Sequence, residues 1–374
     1  MKQHNFNLFL TVLFCLFIGG VFLGSVILPD KTFSPVENRN LAQAPNVSWE
    51  NITSGKFMED TEDYVNDQII GRDFWVALKA WSERLSGKQE NNGVYFAKED
   101  TLISRVDTPE QELLDENIGY VNALVDNVDV PVYFGIIPSA AEIWADRLPA
   151  GAPTADEQAI IDRLYNAVQT HTVDLSSVLA AHHGEELYYR TDHHWTSLGA
   201  YYGYAALMDA MGLEAAPLDE SRKVTVSEDF YGTLYSSSGV RWLPPDHIDR
   251  YISDEGVTVT AYPDGTPQPG SLYVDSFLSE KDKYSSFLGG NKPLCVIETE
   301  HTGAPKVLVI RDSYADSLAP FLTQSFSEIH LFDPRYNLTS VKDYVEQNEI
   351  DSVVVLYSIS NFTATGSNLF VLSR

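Results

Sequence analysis

Between residues 306 and 357 the sequence carries three apolar runs, at 306–310, 329–332 and 352–357, separated by helical stretches at 316–326 and 339–348. Strands buried on both faces lose polar alternation, and parallel neighbours need a crossover helix between them. This β-α-β-α-β order therefore predicts an α/β fold of the flavodoxin or Rossmann type, a parallel sheet with helices on both faces. Upstream, 130–137 reads as a further apolar strand, 157–169 as a helix and 172–175 as a short strand. Thr196 or Ser197 can cap a helix running to 211, with Gly212 in the stop position. Helical spacing also fills 55–87, where Phe57, Tyr64, Phe74, Trp75, Leu78, Trp81 and Leu85 form an apolar stripe read as core. Residues 217–305, rich in Ser, Gly, Pro and Asp, read as a long insertion of turns and edge strands that can wall a substrate.

The N-terminus adds a second constraint. Residues 8–28 form an uncharged apolar run behind Lys2 and His4. At about 1.5 Å per residue this run spans a bilayer core of roughly 30 Å. It exceeds the usual apolar region of a signal peptide, and no clear Ala-x-Ala site follows, so it reads as an uncleaved signal anchor. The resulting division is an anchor at 1–29, an extended proline-bearing tether at 30–54 and a main domain at 55–374. The expected location is the cell membrane, single-pass, with the main domain extracytoplasmic. A net charge of -28, from 53 acids against 25 bases, argues against general binding to nucleic acid or anionic lipid, because phosphate neutralisation needs clustered Lys and Arg. The two cysteines, Cys15 inside the apolar run and Cys295 far from it, cannot make a structural disulfide in the folded domain.

Residue chemistry then singles out two segments. One reads Thr191-Asp192-His193-His194-Trp195, and the other Arg311-Asp312-Ser313-Tyr314 at the end of an apolar strand. A serine hydroxyl is a poor nucleophile until an imidazole takes its proton, and the imidazole works best when a carboxylate fixes its tautomer. Ser313 can supply the nucleophile, His194 the base and Asp192 the orienting carboxylate. Asp192 and His194, two apart on extended backbone, point the same way, and His193 points away from the pair, towards backbone or substrate. Ser313 follows a strand and precedes a helix, where a plain helix cap is the alternative reading. Active sites of such sheets lie at the carboxyl ends of strands, which is where Ser313 falls. Gly289-Gly290-Asn291 offers Gly290 and Asn291 as oxyanion donors, or else a simple turn.

The main rival is a metal site on Asp192, His193 and His194, since carboxylate and imidazole are good ligands for Zn or Mn. The phosphoesterases that use an Asp-His-His element also need an early Asp-x-Asp, and none occurs in the chain. No metal and no other cofactor is therefore expected. His182-His183 reads as a solvated turn.

These segments, in order, give the chain a resemblance. Phe33-Ser34-Pro35-Val36-Glu37-Asn38-Arg39 with Leu41 and Pro45, Asp67 with Arg72, Thr191 to Trp195, Tyr284 to Asn291, and Asp312-Ser313-Tyr314-Ala315 with Pro320-Phe321 resemble the DHHW family of bacterial exported proteins. That family is similar to the SGNH hydrolase-like domain of alginate O-acetyltransferases. The resemblance implies an SGNH-like fold and an Asp-x-His pair, here Asp192 and His194, working with the block serine, here Ser313. It implies acetyl transfer to a polysaccharide hydroxyl, with a membrane-bound acyltransferase as donor. Two positions depart from the wider pattern. Arg311 stands where a Gly usually precedes Asp-Ser, and Ser139 follows Pro138 where related transferases carry Pro-x-Lys.

The function expected from the sequence is thus an O-acetyltransferase or acetylesterase acting on a cell-surface or exported polysaccharide. Ser313, His194 and Asp192 are its catalytic residues. Asn291, Gly290, Arg311, Trp195 and His193 are its oxyanion or substrate residues. The alternative is a non-catalytic glycan-binding or envelope-assembly protein, and Arg311 is the residue that favours it.

Overall fold

The computed structural model describes residues 2–37 and 39–374; Asn38, part of the segment 33–39, lies outside them. The chain forms two compact units, one of residues 1–88 with 236–241 and one of 89–235 with 242–374.

In the first unit, α1 (Lys2–Ile27) is a helix long and apolar enough to cross a membrane. It is followed by a helical turn at Trp49–Ser54, then α2 (Lys56–Gln68) and α3 (Arg72–Leu85). Asp67 on α2 accepts Arg39 at 2.5 and 2.8 Å, and Arg72 on α3 grips Glu37 at 2.6 and 2.9 Å. These pairs tie the stretch after α1 to the helices and account for the charged residues of the N-terminal segments. The aromatic stripe of 55–87 is not core. Phe74, Leu78, Trp81 and Leu85 are 61, 46, 45 and 82% exposed, and the buried side of α3 carries the small Ala80. Periodicity identifies an apolar face but not what it meets.

The second unit is built on an eight-stranded mixed sheet. In chain order its strands are β1 (Val132–Ile137), β2 (His171–Val173), β3 (Thr258–Ala261), β4 (Gln268–Pro269), β5 (Leu294–Glu298), β6 (Lys306–Arg311), β7 (Glu328–Phe332) and β8 (Ser352–Ser358). Across the sheet they run β4-β3-β5-β7-β6-β8-β1-β2. The pairs β7–β6, β6–β8, β8–β1 and β1–β2 are parallel. The pairs β4–β3, β3–β5 and β5–β7 are antiparallel. The expectation of a purely parallel sheet is therefore corrected: the end of the 217–305 stretch adds its strands to the β7 edge. Antiparallel neighbours need only short connections, so a segment without helical spacing can extend the sheet.

Two buried apolar clusters lie against the sheet, one including Trp144, Trp195, Leu318 and Phe321, the other Leu114, Phe134, Val355 and Phe362. The second contains the helix α4 (Gln111–Asn127), which the sequence reading passed over although Leu114, Ile118, Val121 and Leu124 keep helical spacing and are all buried. The helices α5 (Glu157–Ala167), α6 (Ser197–Ala210), α7 (Ala315–Leu322) and α8 (Val341–Asn348) fall near their expected positions. Thr196 caps α6 by accepting from the Gly199 amide, and Gly212 takes the left-handed conformation just past its end. Cys295 is buried on β5 and Cys15 lies exposed on α1.

At the carboxyl end of β1, Ser139 donates through its amide and hydroxyl to Glu157, at 2.9 and 2.5 Å. Its hydroxyl also caps the next helical turn by accepting from Ala141. Burial pushes the Glu157 carboxyl up to about 7, against the hydrogen bonds from Ser139. The unfolded chain ionises this acid at its ordinary pKa while the folded chain holds the proton, so its contribution to stability is full below about 4.5 and is lost as pH rises through about 7. Glu157→Gln is expected to flatten the fall in thermal midpoint between pH 5 and pH 8, by an effect on the order of 1 to 3 kcal/mol. Identical midpoint profiles for the two proteins would contradict the assignment.

Candidate active site

The Asp192-His194 segment is a tight hairpin. Tyr188 and Trp195 pair as an antiparallel bridge, Tyr189 donates its amide to the His194 carbonyl at 3.2 Å, and Thr196 donates to the Leu187 carbonyl at 2.8 Å. Beneath it, Asp246 accepts the Thr191 amide and hydroxyl at 2.8 and 2.5 Å and the Arg190 amide at 3.0 Å. Trp195 is fully buried, and its indole N–H donates to the Tyr314 carbonyl at 2.9 Å. A Cβ on Gly203 would lie 2.7 Å from the Trp195 ring, so only glycine lets α6 come this close. The tryptophan is thus a strut joining the two motif segments and lies out of reach of any substrate.

The second segment is a turn between β6 and α7. Asp312 anchors it: one carboxylate oxygen accepts the Tyr314 amide at 3.0 Å, and the other accepts the Ser358 amide, the Ser358 hydroxyl and the Asn361 side chain at 2.9, 2.6 and 2.9 Å. Within 311–322 every residue is buried except Ser313, which reaches the surface in part. The sequence-distant pieces meet there. His194 Nε2 lies 2.7 Å from Ser313 Oγ, and His194 Nδ1 lies 2.6 Å from Asp192 Oδ1. Asp192 Oδ1 also accepts the His194 amide at 2.9 Å, while Oδ2 accepts the Thr233 amide and hydroxyl at 2.7 and 3.0 Å. Burial pushes the Asp192 carboxyl up, but the His193 and His194 imidazoles and the hydrogen bonds outweigh it and hold the group well below the ordinary carboxylate range. It therefore stays ionised at neutral pH. Four donors aimed at one buried carboxylate fix the His194 ring with its Nδ1 proton inward and leave Nε2 to accept from the serine.

Three further residues hold this relay, and the sequence reading assigned none of them a role. The Tyr284 ring lies flat on His194, 3.8 Å between centroids at 9°, and its hydroxyl donates to the Ser313 carbonyl at 3.0 Å and meets Ser317 Oγ at the same distance. One side chain thereby fixes both the plane of the base and the backbone of the nucleophile. Thr233 supplies two of the four donors to Asp192. Gly232 passes so near that carboxylate that a Cβ there would lie 2.2 Å from the Asp192 Cβ. Only a glycine at a strand-to-helix turn hints at this in the sequence; the flat stacking has no sequence signal.

The remaining candidates divide. Arg311 is completely buried; it pairs with Asp316 at 3.0 Å and donates to the Asp312 carbonyl at 3.3 Å. It therefore braces the nucleophile turn from below, and the expectation that it contacts substrate is corrected. Its charge is compensated by Asp316, an acid in the first turn of α7 that a sequence comparison at the Gly position cannot reveal. Asn291 is exposed and accepts from Arg311 and Arg335 at 3.4 and 3.3 Å, next to Gly290 with its positive φ of 80°. The His193 side chain is 38% exposed, with Nδ1 2.6 Å from the Thr233 hydroxyl, the one imidazole of the pair open to solvent. Tyr314 donates its hydroxyl to the His193 carbonyl. Ser139 is engaged with Glu157.

Asp192, His193 and His194 offer atoms within 4.8 Å of one another, as a metal site would. Binding an ion there would require displacing the Thr233 donors or the serine contact. His182 is spent on Glu185 at 2.7 Å and stacks on Tyr202.

Comparison with known proteins agrees with this geometry in fold. The chain is similar to a DHHW family protein from Eubacterium siraeum, with 26% identity over 75% of this chain and 95% of that one and a TM-score of 0.66. It is also similar to Bacillus cereus PatB1, solved with a sulfonyl adduct, with 20% identity over 74% of this chain and 97% of that one and a TM-score of 0.61. A weaker likeness, at 14% identity and a TM-score of 0.47, is to the O-acetyltransferase domain of Pseudomonas putida AlgJ, over 73% of this chain and 93% of that one. No protein of curated function matches the chain. The family profile described as DHHW protein matches residues 90–332, which hold both motif segments, and the chain belongs to the DHHW family.

Proposed function

We propose that this chain is an extracytoplasmic serine O-acyltransferase or esterase acting on acetyl groups of a cell-surface or exported polysaccharide, within an SGNH hydrolase-like fold. The observation that carries the reading is the relay Ser313 Oγ to His194 Nε2 at 2.7 Å and His194 Nδ1 to Asp192 at 2.6 Å. A helix cap needs no imidazole on its hydroxyl, and a surface polar loop needs no carboxylate held by four donors.

Ser313 Oγ attacks the acyl carbonyl as His194 takes the hydroxyl proton at Nε2, and the imidazolium that forms faces ionised Asp192. The tetrahedral oxyanion is held by the Ser313 amide with Asn291 and Gly290 as candidate donors. His194 returns the proton to the leaving oxygen, and an acyl-Ser313 ester remains. A glycan hydroxyl, deprotonated by His194, attacks that ester to give the acetylated sugar and free serine; water in its place gives hydrolysis. His193, open to solvent beside the base, is placed to meet the acceptor. An acetyl donor outside the cell calls for a membrane-bound acyltransferase as partner, and the apolar helix α1 would hold the two in one plane as a single-pass anchor. No cofactor enters the scheme.

The test is covalent labelling. PatB1 was solved with a sulfonyl adduct. A sulfonyl fluoride added to this chain is expected to label Ser313, mapped by peptide mass spectrometry, faster by orders of magnitude than any other serine. Labelling of Ser313 at the rate of ordinary surface serines would favour the non-catalytic glycan-binding reading instead.

A further inference from the structure

Neighbouring residues on extended backbone turn their side chains to opposite sides, but 191–194 is a bend, and there the His193 ring folds back over His194. The ring centroids are 3.9 Å apart and the planes tilted by 37°. Tyr284 also lies on His194, at 3.8 Å, and two rings that close cannot share one face. The base is therefore the middle of three stacked rings, with His193 as the outer one.

Hydrogen bonding fixes which nitrogen His193 shows. Thr233 Oγ lies 3.0 Å from Asp192 Oδ2 and 2.6 Å from His193 Nδ1. Ionised Asp192 can only accept, so the hydroxyl gives its hydrogen to the carboxylate and takes the Nδ1 hydrogen of His193 on its own lone pair. His193 is thus a second imidazole joined to the same acid, through a hydroxyl where His194 is bonded directly. Burial of its inner face and the adjacent His194 push its pKa below the ordinary value, so Nε2 carries a lone pair at neutral pH.

The two rings also share an orientation. Their Nδ1 atoms stand 2.6 Å (His194) and 3.6 Å (His193) from one oxygen, Asp192 Oδ1. With the rings side by side and both Nδ1 atoms on the carboxylate, both Nε2 atoms face the opposite way, where His194 meets Ser313. Tyr314 pins the His193 backbone by donating to its carbonyl. Among the described residues, His193 Nε2 alone has no hydrogen-bond partner within this arrangement, and it belongs to the one imidazole of the pair that solvent reaches.

We propose that His193 Nε2 selects the acceptor by taking a hydrogen bond from the hydroxyl next to the one acetylated, so that the acceptor is a vicinal diol of a sugar ring. This rests on the acyl transfer at Ser313 proposed above. One hydroxyl of the pair gives its proton to His194 Nε2 as its oxygen bonds the acyl carbon, and Ser313 Oγ leaves with that proton. The neighbouring hydroxyl keeps its proton and donates it as a hydrogen bond to His193. Two acceptor nitrogens side by side match two donors side by side, whereas a lone alcohol satisfies only one.

The test gives the purified full chain an aryl acetate as donor and either trans-1,2-cyclohexanediol or cyclohexanol as acceptor, with Ser313 labelling by a sulfonyl fluoride measured alongside. The diol is expected to be preferred by roughly three- to tenfold beyond the advantage of having two hydroxyls, the size of one neutral hydrogen bond. His193→Asn keeps a donor for Thr233 but removes Nε2, and should erase that preference. His193→Gln puts a carbonyl oxygen where Nε2 lies and should restore most of it. Equal use of the two alcohols by wild type, a comparison that needs no variant to fold, would overturn the proposal while leaving the serine chemistry intact. So would a preference that survives in His193→Asn, hydrolysis with transfer to neither alcohol, or a variant that loses labelling and transfer in equal measure, which would make His193 only a brace for the base. A wild-type Ser313 that fails to label would remove the underlying reading as well.

Discussion

Ser313→Ala is expected to fold normally and to lose acyl transfer by a factor on the order of 10³ or more, about 4 kcal/mol of transition-state stabilisation. The hydroxyl is partly exposed and its main partner is His194 Nε2, so its removal empties no packed core and frees no buried charge. Residual activity comes from the oxyanion donors and substrate positioning alone, which persist without the nucleophile. The measurement is the transfer of acetyl from a chromogenic ester to a glycan acceptor, or to water, by purified wild type and variant with matching melting curves. Equal rates would remove the nucleophile from the scheme.

Asp192→Asn should be nearly as damaging, with a loss on the order of 10³ to 10⁴, and it probes a different atom. Both oxygens of Asp192 receive two donors each. An amide presents an NH₂ to one pair. If the amino end meets His194, the ring takes the wrong tautomer, and Nε2, already protonated, cannot accept the proton that the serine must give up. If it meets Thr233, two buried donors face a third, at a cost of about 1–3 kcal/mol to the fold. The signature is slow sulfonyl labelling of a Ser313 that is still present, which Ser313→Ala cannot show. Labelling at the wild-type rate would mean that the carboxylate plays no part in orienting the base.

The three residues of the relay were legible in the sequence because each sits at a position whose chemistry is local. Ser313 closes an apolar strand, and Asp192 and His194 flank one residue ahead of a capped helix. The braces around them were not legible. Tyr284 lies on His194 only because the long stretch before β5 is packed back over the nucleophile turn, a tertiary path that periodicity does not encode. Arg311 departs from the expected small residue, and Asp316, in the first turn of the next helix, neutralises it. The sheet shows the same division: its central parallel strands announce themselves as largely apolar runs, whereas β3 and β4 are short strands at one margin whose partners are set by the sheet they join. α4 was within reach, since its buried stripe has ordinary helical spacing.

Thr233 and Gly232 belong to the stretch that also supplies Tyr284 and Asn291, so one loop system both braces the backbone of the serine and holds the carboxylate that orients the imidazole. Under the proposed function, acceptor preference and turnover would then be written in the same stretch of chain. A relative could acquire a new sugar by remodelling this region only while returning a side-chainless residue and a hydroxyl donor to the same place, so evolution of specificity here is confined to the parts of the loop that never touch the carboxylate.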